Sequence, residues 1–151
     1  MKRTLSGAAL AFATLTIAAG PAPMEWNVDP SHTGIEFSVK HFFTPVSGEF
    51  DEYEVELLFD RENPAASRVA VRIDVPSIDT GNEDRDAHLL SPDFFDAETY
   101  RWITFESDEV RVAPDGGLIV SGPLTIRDRT HRVELPVQLL GVKDIPAEMQ
   151  A

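Results

Sequence analysis

Apolar and polar residues alternate along most of this chain with a period of two. In Gly34 to Lys40, Ile35, Phe37 and Val39 alternate with Glu36, Ser38 and Lys40, which places the apolar set on one face of an extended strand. The pattern recurs with Tyr53, Val55 and Leu57 between Glu52, Glu54 and Glu56, and with Val69, Val71, Ile73 and Val75 between Arg68, Ala70, Arg72 and Asp74. It returns with Ile103 and Phe105 between Trp102, Thr104 and Glu106, and with Val133, Leu135, Val137 and Leu139 between Glu134, Pro136 and Gln138. Strands with one dry and one wet face predict an all-β fold of antiparallel sheets closed around a single interior. Turn chemistry separates the runs at Asp60-Arg61-Glu62-Asn63-Pro64 and Ala113-Pro114-Asp115-Gly116-Gly117. Gly122-Pro123 reads as a bulge or bend, and Arg127 to Thr130 as a tight turn. Pro136 reads as a residue at an edge or a bulge, where no ladder donor is lost.

One segment breaks the alternation. From Thr80 to Tyr100 polar starts precede clustered apolar residues. Asn82 is placed to cap a helix over Glu83 to Leu90, and Ser91-Pro92-Asp93 is a second start signal with proline at the first helical position. The segment is a short helical insertion between strands, expected to lie over one open end of a barrel.

Composition narrows the partners. The chain has 151 residues, no cysteine, and a net charge of -13 from 13 basic and 26 acidic residues. Such an excess of acid repels phosphate backbones and anionic membrane surfaces, so nucleic acid is excluded as a partner. Without thiols there is no disulfide, no Cys-ligated metal and no Cys nucleophile. Lys2 and Arg3 precede an uncharged apolar or small run from Leu5 to Ala19, followed by Gly20-Pro21-Ala22-Pro23. This is the layout of a secretory leader, with an apolar run too short to span a bilayer. The expected organisation is a signal peptide at 1–22 and one β-barrel domain at 23–151, exported to a bacterial periplasm or beyond, with no membrane span after processing.

The blocks Trp26-Asn27-Val28-Asp29-Pro30-Ser31-His32-Thr33-Gly34, Val46-Ser47-Gly48-Glu49-Phe50, Arg85-Asp86-Ala87-His88-Leu89-Leu90-Ser91-Pro92-Asp93-Phe94-Phe95-Asp96 and Gly122-Pro123-Leu124-Thr125-Ile126 closely resemble the YceI-like family of exported bacterial proteins. The resemblance implies a lipocalin-like antiparallel β-barrel without catalysis, holding a polyisoprenoid or similar lipid in an apolar interior. Two departures stand out. Asp128 and Arg129 replace smaller residues usual in the turn after Leu124-Thr125-Ile126, a change expected to matter little for the interior. The family pattern also continues past Gly141-Val142-Lys143-Asp144 into a closing pair of strands, whereas this sequence ends at Ala151. The barrel is therefore expected to be incomplete, and three readings stay open: a truncated member, a homodimer or strand-swapped dimer that borrows its closure, or a partly open sheet.

The inward candidates are Phe37, Val39, Phe50, Val71, Ile73, Phe105, Leu124 and Ile126, with Phe94 and Phe95 supplied by the insertion. Alternation by itself fits a packed core as well as a ligand cavity, and the resemblance favours the cavity. Arg85 and His88 would hold a polar head group near the mouth, unless Arg85 pairs with Asp79, Asp86 or Asp93 to pin the insertion. Ser77, Asp79 and Asn82 read as turn and capping residues. Asp29, Ser31 and His32 stand together, but neighbours on an extended strand point to opposite faces, and no nucleophile elbow is present. The four histidines, His32, His41, His88 and His131, lack the close spacings of zinc motifs and read as satisfied polar residues. The expectation is a lipid carrier with no cofactor or metal. A packed interaction module that needs a partner strand is the alternative, and a hydrolase using His88 or His32 the weakest reading.

Overall fold

The computed structural model describes residues 24–29, 31–41 and 43–143; the expected leader lies outside them. The alternating runs form strands in chain order: β1 Met24–Trp26, β2 Ile35–His41, β3 Thr44–Phe50, β4 Tyr53–Phe59, β5 Arg68–Asp74, β6 Ile78–Asp79, β7 Trp102–Glu106, β8 Glu109–Val112, β9 Leu118–Ile126 and β10 Arg129–Val137. The larger sheet has the order β1-β4-β5-β7-β9-β10, with β8 also on β9, and the smaller one is β2-β3-β6. Every pairing is antiparallel, as half-buried alternating strands require. Among the described residues β1 and β10 each have one neighbour, so the ring of strands is not closed there. Pro136 sits in the edge strand β10, as its missing N–H demands.

The expected irregularity near Gly122 lies in the strand opposite it. Phe105 faces Leu124 and Glu109 faces Ser121, so three residues, 106 to 108, oppose two, Gly122 and Pro123. This is a β-bulge. Ser107 anchors it: its N–H donates to the Val69 carbonyl, and its Oγ accepts from the Val69 N–H, both at 2.9 Å. The bulge brings the Glu106 carbonyl so close that a Cβ at position 122 would stand 2.1 Å from it. Glycine is required there by this close approach of backbone.

Two apolar clusters form the core. Phe50, Val75, Ile78 and Ile103 make the first, with Phe37, Ile73, Leu89, Leu90 and Phe95 packed around them. Phe105, Val110 and Val120 make the second, flanked by Val69, Val71, Leu118 and Val133, and Leu124 touches both. On the outer face Asp74, whose side chain is 5% exposed, receives two hydrogen bonds of 2.8 Å from Arg101.

The insertion begins as its capping signal dictates. Helix α1 spans Glu83–Leu90, and Asn82 Oδ1 accepts from the Arg85 N–H at 2.9 Å, with Glu83, Asp84 and Asp86 favourably placed in the first turn. The second start signal does not open a helix. The N–H groups of Phe95 and Ala97 fold back onto the carbonyls of Leu89 and Leu90 at 2.9 and 3.0 Å, closing the end of α1 instead of propagating a new turn. Asp96 takes a left-handed φ of 50° to make this reversal. Leu89, Leu90, Phe95 and Ala97 then rest on the first cluster, so the insertion covers that end of the core.

Candidate functional site

The interior face of the β9–β10 hairpin follows from its register. Directly paired residues of an antiparallel ladder project to the same side, and the pairing runs unbroken from Arg129 opposite Ile126 to Val137 opposite Leu118. Leu118, Val120, Leu124 and Val133 belong to the second cluster. The inward set is therefore Leu118, Val120, Leu124 and Ile126 on β9, and Arg129, His131, Val133, Leu135 and Val137 on β10. Since β10 has no outer neighbour among the described residues, Leu135 and Val137 stay 41% and 40% exposed although they face inward.

At its Leu118–Val137 end this strip runs into an apolar cavity of about 200 Å³. Trp26 on β1, Leu57 and Phe59 on β4, Val69 on β5, Val110 on β8 and Leu139 beyond β10 complete the wall. Trp26 meets Phe59 edge to face, with ring centroids 6.1 Å apart. Among the described residues Ser67 and Arg68 are the only polar ones in the lining, and Arg68 Nη1 is turned to the Ser67 carbonyl at 2.6 Å. At the other end of the hairpin a cleft of about 430 Å³ is lined by Leu124, Ile126, Arg127, Asp128, Arg129 and His131.

Of the candidates from the sequence, Leu124 and Ile126 line this cleft, and none lines the cavity beside Trp26. Phe37, Phe50, Ile73, Phe95 and Leu124 come together in the first cluster, where the ring of Phe50 stands 5.4 Å from Phe37 and 6.2 Å from Phe95, centroid to centroid. These side chains fill their own space. Phe105 and Val71 join Leu124 in the second cluster, beneath the cavity. Val39, Phe94 and Ile126 are exposed. The residues that line the cavity carry the same alternation, Leu57 and Phe59 continuing Tyr53 and Val55, and Val137 continuing Val133 and Leu135. What pattern alone does not contain is which strands come to face one another.

Arg85 and His88 have different partners. Arg85 donates from Nε to Thr80 Oγ1 and from Nη2 to the Thr80 carbonyl, both at 2.7 Å, while Asp86 Oδ1 accepts from the Thr80 N–H and hydroxyl. The arginine thus pins the start of α1 through threonine, not through an acid. His88 is exposed, stands edge-on to Phe94 at 4.8 Å, and has Nε2 4.0 Å from Asp93. Asp79 Oδ1 accepts from the Gly81 N–H, and the Ser77 hydroxyl donates to the Asp74 carbonyl at 2.7 Å, both turn roles, while Ser77 Oγ also accepts from the distant Glu52 N–H. Asp29, Ser31 and His32 form a turn: Asp29 Oδ1 accepts from the Ser31 N–H at 2.9 Å and Oδ2 lies 2.8 Å from His32 Nδ1. The His32 hydrogen bond, then the Ser31 N–H, hold the Asp29 carboxyl below its ordinary pKa.

Two antiparallel sheets with an apolar cavity reaching an open edge have the layout of a lipocalin-like scaffold. The YceI-like domain model matches residues 26–150. A UPF0312 protein of Vibrio cholerae is 34% identical over 148 residues, covering 97% of this chain and 78% of that protein. Protein YceI of Escherichia coli O157:H7 is 35% identical over 150 residues, covering 97% and 77%. Among solved structures, BcnA of Burkholderia cenocepacia superposes with a TM-score of 0.74 at 28% identity, over 78% of this chain and 74% of that one. The Campylobacter jejuni YCEI protein does so with a TM-score of 0.62 at 30% identity, over 78% and 70%. The chain belongs to the YceI-like family.

Proposed function

We propose that this protein is exported to the bacterial periplasm or beyond and sequesters or carries an isoprenoid or similar lipid, without catalysis. The observation that supports this most is the apolar cavity walled by Trp26, Leu57, Phe59, Leu118 and Val137, continued by the inward but exposed side chains of Leu135 and Val137. A tail too long for the cavity extends along that strip. Each methylene withdrawn from water there contributes about 0.8 kcal/mol, so a long chain needs few polar contacts. The binding surface is then the second cluster and the hairpin, not the interlocked Phe37, Phe50 and Phe95.

A second reading is a non-catalytic interaction module whose edge strand β10 pairs with a partner strand, including one from a second copy. The exposed inward face of β10 favours it. Native mass spectrometry of the purified protein, followed by organic extraction, separates the two. A stoichiometric apolar ligand supports the carrier. A clean ligand-free mass, with a dimer on a sizing column, supports the module.

A further inference from the structure

Along the inward face of β10 the chemistry changes from Val137, Leu135 and Val133 to His131 and Arg129. In a chain with twice as many acidic as basic residues, an inward-facing arginine with no carboxylate beside it is conspicuous. Five other arginines, Arg72, Arg101, Arg111, Arg127 and Arg132, lie within 4.0 Å of carboxylates. Among the described residues the side chains of Arg129 and His131 have no ion-pair or hydrogen-bond partner. Both line the 430 Å³ cleft at the hairpin tip, with Leu124 and Ile126 as its apolar wall and Asp128 as its one acid. Beside them Arg127 carries a buried Nε without a hydrogen-bond partner. Its other nitrogens are held by the Phe94 carbonyl and, at 3.8 Å, by Asp96.

We propose that this cleft binds the anionic head of an amphiphile, a carboxylate or a phosphate, through Arg129 and His131, while the tail runs along the hairpin to the cavity beside Trp26. This rests on the lipid-carrier reading and deepens it. Eight residue steps separate Leu118 from Ile126, about 26 Å at about 3.3 Å per step, which sets the length of chain that joins the two ends. The replacement of small turn residues by Asp128 and Arg129 thus bears on the interior after all, because the register puts Arg129 opposite Ile126. Arginine suits both heads, since its fork of donors matches carboxylate and phosphate oxygens.

The test is calorimetric titration of delipidated protein with two matched pairs: oleate against oleyl alcohol, and geranylgeranyl phosphate against geranylgeraniol. At least one anion is expected to bind roughly tenfold or more tighter than its alcohol. That advantage should narrow as salt is raised in the wild type, a readout that needs no variant. Arg129→Gln and His131→Gln should remove it while leaving the alcohols unchanged. An advantage for one pair alone identifies the head as carboxylate or phosphate. If the alcohols bind as tightly as the anions, or the variants weaken both equally, the head site is wrong and the apolar carrier stands. If none of the four binds, both readings fall.

Discussion

Arg127 Nη1 donates to the Phe94 carbonyl at 2.6 Å, tying the tip of the β9–β10 hairpin to the helical insertion. Arg127 also reaches the Pro92 carbonyl at 3.3 Å and packs over the Tyr100 ring at 5.6 Å. Its backbone takes a left-handed φ of 56°, uncommon for a residue with a side chain. The contact joins the cationic cleft to the segment that covers the first cluster.

Arg127→Ala should lower stability by about 1 kcal/mol, the discounted value of a charge-assisted bond at a half-exposed site, and speed amide hydrogen exchange over residues 92 to 97. Arg127→Gly should cost less in urea unfolding, because glycine relieves the left-handed strain while losing the same contacts. Equal exchange in wild type and Arg127→Ala would show that the hairpin does not hold the insertion.

Gly122→Ala should cost about 3 kcal/mol in urea unfolding. The new methyl would stand 2.1 Å from the Glu106 carbonyl, and the opposing atoms are backbone held in a ladder, so they cannot swing aside as a side chain would. Gly141→Ala, with open space around its Cβ position, is the matched control and should be nearly silent.

Asp74 is buried and its partner Arg101 is largely exposed. The Asp74 hydrogen bonds, then its charge, raise the pKa of Arg101, so the arginine stays charged across any working pH. Arg101→Ala would leave the buried Asp74 side chain without the arginine that donates to it, and should lower the urea unfolding midpoint. Trp102 should report the change in its fluorescence, since Arg72 and Arg101 lie 4.4 and 5.4 Å from its ring.

The Asp29 turn has a pH signature. Its carboxyl titrates below the ordinary value of 3.8 when folded, so its contribution is present above that value and is lost as pH falls through the folded pKa. A series of thermal melts should show wild type more stable than Asp29→Asn well above 3.8, with the gap closing in stronger acid. A gap independent of pH would assign the effect to the turn backbone and not to the charge.

Strands, turns and the capped helix were legible because each depends on near neighbours: alternation fixes a face, Asn82 satisfies an N–H three residues on, and Pro136 excludes a central ladder position. The binding surface was less legible because it depends on pairing between distant segments. Phe37, Phe50 and Phe95 read as tunnel walls but interlock, since α1 and the reversal at Asp96 drop Phe95 onto Phe50. Trp26, Phe59 and Val137 share a cavity only because β1 and β10 end the same sheet at either side of it. His131, read as a satisfied polar residue, faces the interior, and this depends on the two-residue turn that sets the register of β10.

The central claim is that an apolar chain lies against the wall formed by Trp26. The chain has two tryptophans, and they sit on opposite faces: Trp26 lines the cavity, while Trp102 stacks with arginines on the outer face. The direct test is quenching by a brominated long-chain lipid in two single-tryptophan variants, Trp102→Phe and Trp26→Phe. Saturable quenching of Trp26 with Trp102 unaffected is the expected result; equal quenching of both, or of neither, would contradict it.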